Sequence, residues 1–267
     1  MPMVRTARFL LCGVCWLACA QGPPGEPAVA APDAVFVPAP VPTLRAQPGL
    51  KKFPSELLKN FKALASTQNL APLAVGVAAT AAAKIPNRRV EGFFETKPET
   101  MFGEPGEYMG TPWVLGPTVA AMMLAGRSSD DARFRSFTYS LAQGYVINQS
   151  IAIGIKKAVR SQRPNQENAL SFPSGHTSSA FAWATTVSHY YGFKAGLPAY
   201  LAAAYVGSSR LDERAHRLTD VVAGAALGYI VGKTVSRRAN PERRFDWNVG
   251  VPPGGGIALT LGVRLPQ

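Results

Sequence analysis

The sequence predicts an all-α fold, a bundle of about six core helices followed by a short C-terminal β-hairpin. Three observations predict it. Uncharged stretches rich in Ala, Gly and Leu recur at 63–83, 108–126, 136–155, 177–193, 195–209 and 221–232, separated by Gly, Pro or charge. Hydrophobic residues make up 47% of the 267 residues and charged residues 16%, enough apolar mass for a sizeable core and too little charge for global disorder. The last residues change period: Ile257, Leu259, Leu261, Val263 and Leu265 alternate with smaller or polar residues behind a Pro-Pro-Gly-Gly-Gly turn.

Residues 1–20 read as a secretory signal peptide, with Arg5 and Arg8 before a short apolar run and the small-x-small triplet Ala18-Cys19-Ala20. About a dozen apolar residues is short for a membrane span. Lipoprotein processing at Cys19 is a second option, although Trp16 stands where a branched aliphatic is usual. The chain's three cysteines, Cys12, Cys15 and Cys19, all fall in this segment, so the remainder has no disulfide and no thiolate metal site.

Residues 21–50 contain eight prolines and little charge, the composition of an extended linker. Residues 51–238 are expected to form the helical domain. Its first helix lies in SELLKNFKALAS, where Ser55 can cap the start. Residues 85–107 read as a long polar connection of the kind that often carries function. Residues 239–267 are a basic linker and the hairpin-like tail. The shortest apolar stretches, Ala and Gly content and a mean hydropathy of +0.03 favour a soluble or peripherally attached bundle, exported to the periplasm or cell envelope. A membrane-embedded bundle is the alternative.

A net charge of +12 calls for an anionic partner: nucleic acid, a phosphate ester or an anionic membrane. No zinc-finger or RNP-type signature accompanies the basic residues, which disfavours nucleic acid. No obligate protein partner is evident.

Polar groups gather in three places that an apolar bundle would otherwise avoid. Lys156-KAVRSQ-Arg163-Pro164 ends one helix, Pro173-Ser174-Gly175-His176 opens the next, and Ser209-Arg210-LDERA-His216-RLT-Asp220 leads into the last. Each alone has an ordinary structural explanation: a dipole-opposing cation, a capped turn, an i,i+4 pair. Together they place two of the chain's three histidines, with Lys156, Arg163 and Arg210 among their cations, at helix junctions that can converge. Lys156, Arg163 and Arg210 offer fixed positive charge, two of them as planar forks suited to phosphate oxygens. Ser174 and the Gly175 N–H stand at a helix start, where unpaired amides favour an anion. His216 and Asp220, four apart on an expected helical face, let a carboxylate hold one ring nitrogen and free the other as a nucleophile. His176 is then available to protonate a leaving alcohol. His189 matches no such pattern and reads as a satisfied helix-face histidine.

The spacing Lys-x6-Arg-Pro, Pro-Ser-Gly-His, Ser-Arg-x5-His-x3-Asp resembles the type-2 phosphatidic acid phosphatase / vanadium haloperoxidase superfamily, over roughly residues 60–235. The resemblance implies a helical bundle and hydrolysis of a phosphomonoester through a phosphohistidine, with no metal cofactor. It makes His216 the nucleophile, Asp220 its orienting group and His176 the acid and then the base. Lys156, Arg163, Ser174, Gly175 and Arg210 bind the phosphate. The substrate is a phosphorylated small molecule or a lipid phosphate or pyrophosphate. A vanadium haloperoxidase and a non-catalytic envelope protein are the alternatives. Phe93, Phe94, Met101, Phe102, Tyr108 and Trp113 are candidates for substrate selection on hydrophobicity alone.

Overall fold

The computed structural model describes residues 6–9, 49–96, 105–240, 245–250 and 258–264. The Pro-rich linker (all but its last two residues), most of the signal segment, Met101, Phe102, the basic stretch 241–244 and the Pro-Pro-Gly-Gly-Gly turn lie outside them.

The chain divides into two units, the larger being Leu44–Glu242. Its helices are α1 (Phe53–Ala63), α2 (Leu70–Ala82), α3 (Lys84–Glu95), α4 (Pro105–Gly110), α5 (Pro112–Arg127), α6 (Ala132–Val159), α7 (Gly175–Tyr191), α8 (Phe193–Asp212) and α9 (Leu218–Ala239). The all-α bundle is as predicted. Two local expectations are corrected. Ser55 lies inside α1 and its hydroxyl donates back to the Lys52 carbonyl at 2.9 Å, so it caps nothing. The connection at 85–107 contains a full helix, α3, and ends in another, α4. Pro86 falls in the first turn of α3, where a missing N–H costs no hydrogen bond, so this proline starts a helix instead of breaking one.

α6 is the long strut, 28 residues and therefore about 42 Å. Asp131 caps its start, accepting from the Arg133 amide at 2.7 Å. Arg160, left-handed at φ 48°, turns the chain out at its end, with its N–H on the Lys156 carbonyl. One apolar cluster joins α5, α6 and α7 through Val119, Phe137, Leu141 and Tyr190. Deleting a buried leucine such as Leu141 costs about 2–5 kcal/mol. A second cluster, built on Ile147, Val231 and Val235, joins α6 to α9.

α7 and α9 meet differently. Gly224, Gly228 and Gly232, at i, i+4 and i+8, form one face of α9 pressed onto the α7 backbone. A Cβ at Gly224 would stand 2.6 Å from the Ser174 carbonyl oxygen and one at Gly232 2.7 Å from that of Ala182. This close approach places the start of α9 beside the start of α7, and with it Asp220 beside Ser174.

Many large apolar residues point outward, among them Leu70 and Val75 on α2, Trp113 and Leu124 on α5, and Phe193 and Leu201 on α8; Trp113 is 89% exposed. A water-soluble bundle is expected to turn polar residues outward at such positions. Among the described residues one helix, Leu218–Ala239, is long and apolar enough to cross a membrane, and 39% of its apolar window is buried in the protein.

The smaller unit, Met1–Thr43 with Arg243–Gln267, contains three strands. β1 (Thr6–Phe9), β2 (Phe245–Gly250) and β3 (Ala258–Arg264) form an antiparallel sheet in the order β1-β3-β2. The expected C-terminal hairpin is the β2–β3 pair, with Trp247 opposite Leu261, and β1 adds a strand from within the expected signal segment, Thr6 opposite Arg264.

Candidate functional site

The end of α6, the start of α7, the end of α8 and the start of α9 bring the three polar segments together. The loops between them are stitched to one another: the Asn165 amide donates to the Arg214 carbonyl at 3.0 Å, and Arg217 Nη1 to the Gln162 carbonyl at 2.5 Å.

His216 is buried, 3% exposed, in the loop two residues ahead of α9. It therefore does not share a helical face with Asp220, as the i,i+4 spacing predicts. The loop folds its ring back toward the carboxylate, Nδ1 standing 3.8 Å from Asp220 Oδ2. That is an ion-pair separation, too long for a hydrogen bond. Ser171 fills the gap: its hydroxyl donates to Asp220 Oδ2 at 2.5 Å and lies 3.5 Å from His216 Nδ1. Asp220 also accepts from the Arg217 amide at 2.9 Å, as the third residue of α9. Ser171 is the site residue that sequence reading misses, since nothing in the spacing of Ser171-Phe172-Pro173-Ser174 marks it.

α3 supports the same loop from outside. Asn87, Glu91 and Glu95 lie one turn apart on one face. Asn87 Oδ1 accepts from the Leu218 amide at 3.1 Å, Glu91 meets Arg217 Nε at 3.1 Å, and Glu95 meets Arg214 at 3.7 Å. A helix in place of the expected polar loop thus buttresses the segment that carries His216.

Ser174 is the N-cap of α7, accepting from the Thr177 amide at 3.4 Å and the Thr177 hydroxyl at 2.9 Å. Gly175 and His176 form the first turn, as the sequence suggests. Gly175 lies beside Lys156: a Cβ on it would be 3.7 Å from Lys156 Cε. Lys156 Nζ donates to the carbonyls of Leu170 and Ser171, at 2.5 and 3.3 Å. Arg163 pairs with Glu167 at 2.6 Å. Arg210, 3% exposed, pairs with Glu213 and donates from Nε to Ser209 Oγ at 3.4 Å.

Burial and charge act together on these groups. Burial first, then the charges of Arg210, His216, Arg163 and Lys156, push His176 down to about 3. Burial likewise lowers His216 to about 4, against the opposing pull of Asp220. Lys156 falls to about 8 through burial and then Arg163. Both imidazoles are neutral near pH 7, and both sit among cations whose mutual repulsion a bound anion relieves. His176 Nε2 is buried with no hydrogen-bond partner. His189 lies elsewhere, its Nε2 2.8 Å from the Asn240 carbonyl, as a satisfied structural histidine. Of the residues proposed for substrate selection, Phe94 is buried while Phe93, Tyr108 and Trp113 are exposed. Among the described residues no group of three or more His, Cys, Asp or Glu is arranged to hold a metal.

A groove of about 720 Å³ lies between α2, the end of α6 and α9, reaching Phe172, Pro173 and Asp220 at the back of the site. Its walls are apolar, including Leu73, Val77, Ile155 and Leu227, with Lys84 and Arg217 among its few charged residues.

The four-helix junction thus gathers two histidines, three cations and a helix start that favours an anion. The PAP2 superfamily model matches residues 135–244, the segment that carries the whole constellation. It is 40% identical over 74 residues to a lipid A 1-phosphatase of Porphyromonas gingivalis, spanning 27% of this chain and 17% of that protein. It is 27% identical over 114 residues to a lipid A 4'-phosphatase of Helicobacter pylori, spanning 39% of this chain and 58% of the relative. The chain thus spans less than two thirds of either relative. The crystal structure of Aquifex aeolicus LpxE aligns with a TM-score of 0.43 at 22% identity, over 58% of this chain and 92% of that one.

Proposed function

We propose that the chain is a phosphatase acting on a lipid phosphate at a membrane, through a phosphohistidine and without a metal. The observation that carries this reading is the seat itself: the ends of α6 and α8 lie with the starts of α7 and α9, with His216 and Arg210 buried, Lys156 beside Gly175 and the buried His176 Nε2 unpartnered. The names of the relatives, both lipid A phosphatases, support the substrate class. So does the apolar groove beside the site, which suits a hydrocarbon chain and has the cations Lys84 and Arg217 to meet a polar headgroup. The outward apolar residues of α2, α5 and α8 suit contact with lipid, which moves the reading from a soluble domain to a membrane-associated one. The signal segment expected from the sequence supports a site outside the cytoplasm.

In this mechanism Lys156, Arg163, Arg210 and the first amides of α7 hold the phosphate oxygens and neutralise the charge of the transition state. Phosphate displaces Glu213 from Arg210. Asp220 and Ser171 keep the proton on His216 Nδ1, so Nε2 attacks phosphorus. The P–N bond forms as the P–O bond to the leaving group breaks, and His176 gives that oxygen its proton. The dianion's charge offsets the neighbouring cations and raises His176 enough for it to hold the proton. Water then attacks the phosphohistidine, giving a proton to His176 as the P–N bond breaks and phosphate departs.

The test is phosphate release by the purified full chain, from a lipid phosphate in mixed micelles and from p-nitrophenyl phosphate. Release from both, unaffected by EDTA and inhibited by orthovanadate, is the expected outcome. No release, or activity lost to EDTA and restored by Mg²⁺, overturns the reading.

A further inference from the structure

We propose that Gly110 is a positioning residue for His176, its missing side chain fixing where the imidazole stands. The role of that ring as proton donor rests on the phosphohistidine reading, whereas the packing does not.

α4 is six residues long and presents two buried glycines, Gly106 and Gly110, one turn apart. A Cβ at Gly110 would stand 2.5 Å from His176 Cδ2, 2.6 Å from its Cβ and 2.8 Å from its Cγ. Carbon atoms rest about 3.5–4.0 Å apart. The backbone of α4 is therefore laid directly on the imidazole, at a distance that only glycine permits. At Gly106 an added Cβ would run into Ser209 Cβ and Oγ. Ser209 precedes Arg210 and accepts from its Nε. The two glycines of one short helix thus touch the proton donor and the neighbour of the phosphate clamp.

The need for such packing follows from the hydrogen bonds. His176 Nε2 has no partner, so no bond at that atom fixes the ring before substrate arrives. Its orientation is left to what surrounds it, and α4 is the wall it meets. Restoring normal carbon contact after Gly110→Ala requires a shift of about 1 Å. Misplacement by that distance can cost on the order of 10²-fold in rate. The loss falls on the step that needs the proton. A p-nitrophenolate leaves almost unaided, and an alkoxide does not.

The experiment compares Gly110→Ala with the natural chain in three readouts. Phosphoenzyme formation from an alkyl phosphate should slow by about 10²-fold, while formation from p-nitrophenyl phosphate stays nearly unchanged. In a His176→Gly background, where neither ring nor Cβ remains to meet the new Cβ, Gly110→Ala should cost nothing further. The side-chain NMR resonances of His176 should move while those of His189 stay, a readout that needs no activity. Equal slowing of both esters, an added loss on top of His176→Gly, or an unmoved His176 resonance overturns the proposal. A natural chain that releases no phosphate while the resonance still moves overturns the phosphatase reading and supports the packing.

Discussion

The two motif histidines are held in opposite ways. His216 is surrounded by hydrogen bonds and charge: Ser171 and Asp220 at its Nδ1, the Arg217 amide on Asp220, and the Asn87–Glu91–Glu95 face of α3 bracing its loop. His176 has no partner at Nε2 and is set by contact, with the α4 backbone laid on its ring. The difference follows from the work proposed for each. A nucleophile needs one tautomer and one direction of attack, which a polar network supplies. A group that donates and then accepts a proton needs a nitrogen with no competing bond, so steric packing replaces hydrogen bonding.

The largest expected effect breaks the comparison outright. His216→Ala should abolish turnover and acid-labile phosphorylation with every ester, whereas His176→Ala should still be labelled by p-nitrophenyl phosphate and accumulate phosphoenzyme. Label on a protein lacking His216 reverses the roles. A middling effect is expected at Ser171, which is fully buried. Ser171→Ala leaves Asp220 short of a donor, at a cost of about 1–3 kcal/mol in stability. The turnover rate should fall about tenfold for alkyl and aryl esters alike, the equivalent of about 1.4 kcal/mol or one lost hydrogen bond, since Asp220 remains. A preference between esters would show that Ser171 serves His176 instead.

The smallest effect is a stability profile. Both imidazoles have folded-state values below the ordinary 6.5, at about 3 and about 4. Between pH 6.5 and 4 the unfolded chain binds these protons and the folded chain does not, so they remove stability as pH falls. Glu213, raised to about 7 by burial, works in the opposite sense between 7 and 4.5. The thermal midpoint of a His176→Asn/His216→Asn variant should therefore fall less than that of the natural chain on going from pH 6.5 to 4. An equal fall in both proteins would remove the two histidines as its source.

Much of the candidate site was legible in the sequence. Ser174 caps α7, His176 follows in its first turn, and Arg210 closes α8, all as their motifs imply. The pairing of His216 with Asp220 was legible as a pair and misread as geometry, because the helix begins only at Leu218. α3 was hidden by its proline and its charges. Their meaning reverses once Pro86 is seen in a first turn and Glu91 and Glu95 are seen meeting arginines of another segment.

By itself the sequence determined the fold class, most helix-forming stretches and the motif residues of the candidate site, since these follow from periodicity and from residue chemistry within a turn or two. Tertiary structure alone decided the rest. Ser171 reaches His216 across 45 residues and Asn87 reaches Leu218 across 131. Gly110 touches His176 only because α4 lies against α7. Contacts of that range depend on how helices pack, and the glycine face of α9 sets that approach to within a fraction of an ångström.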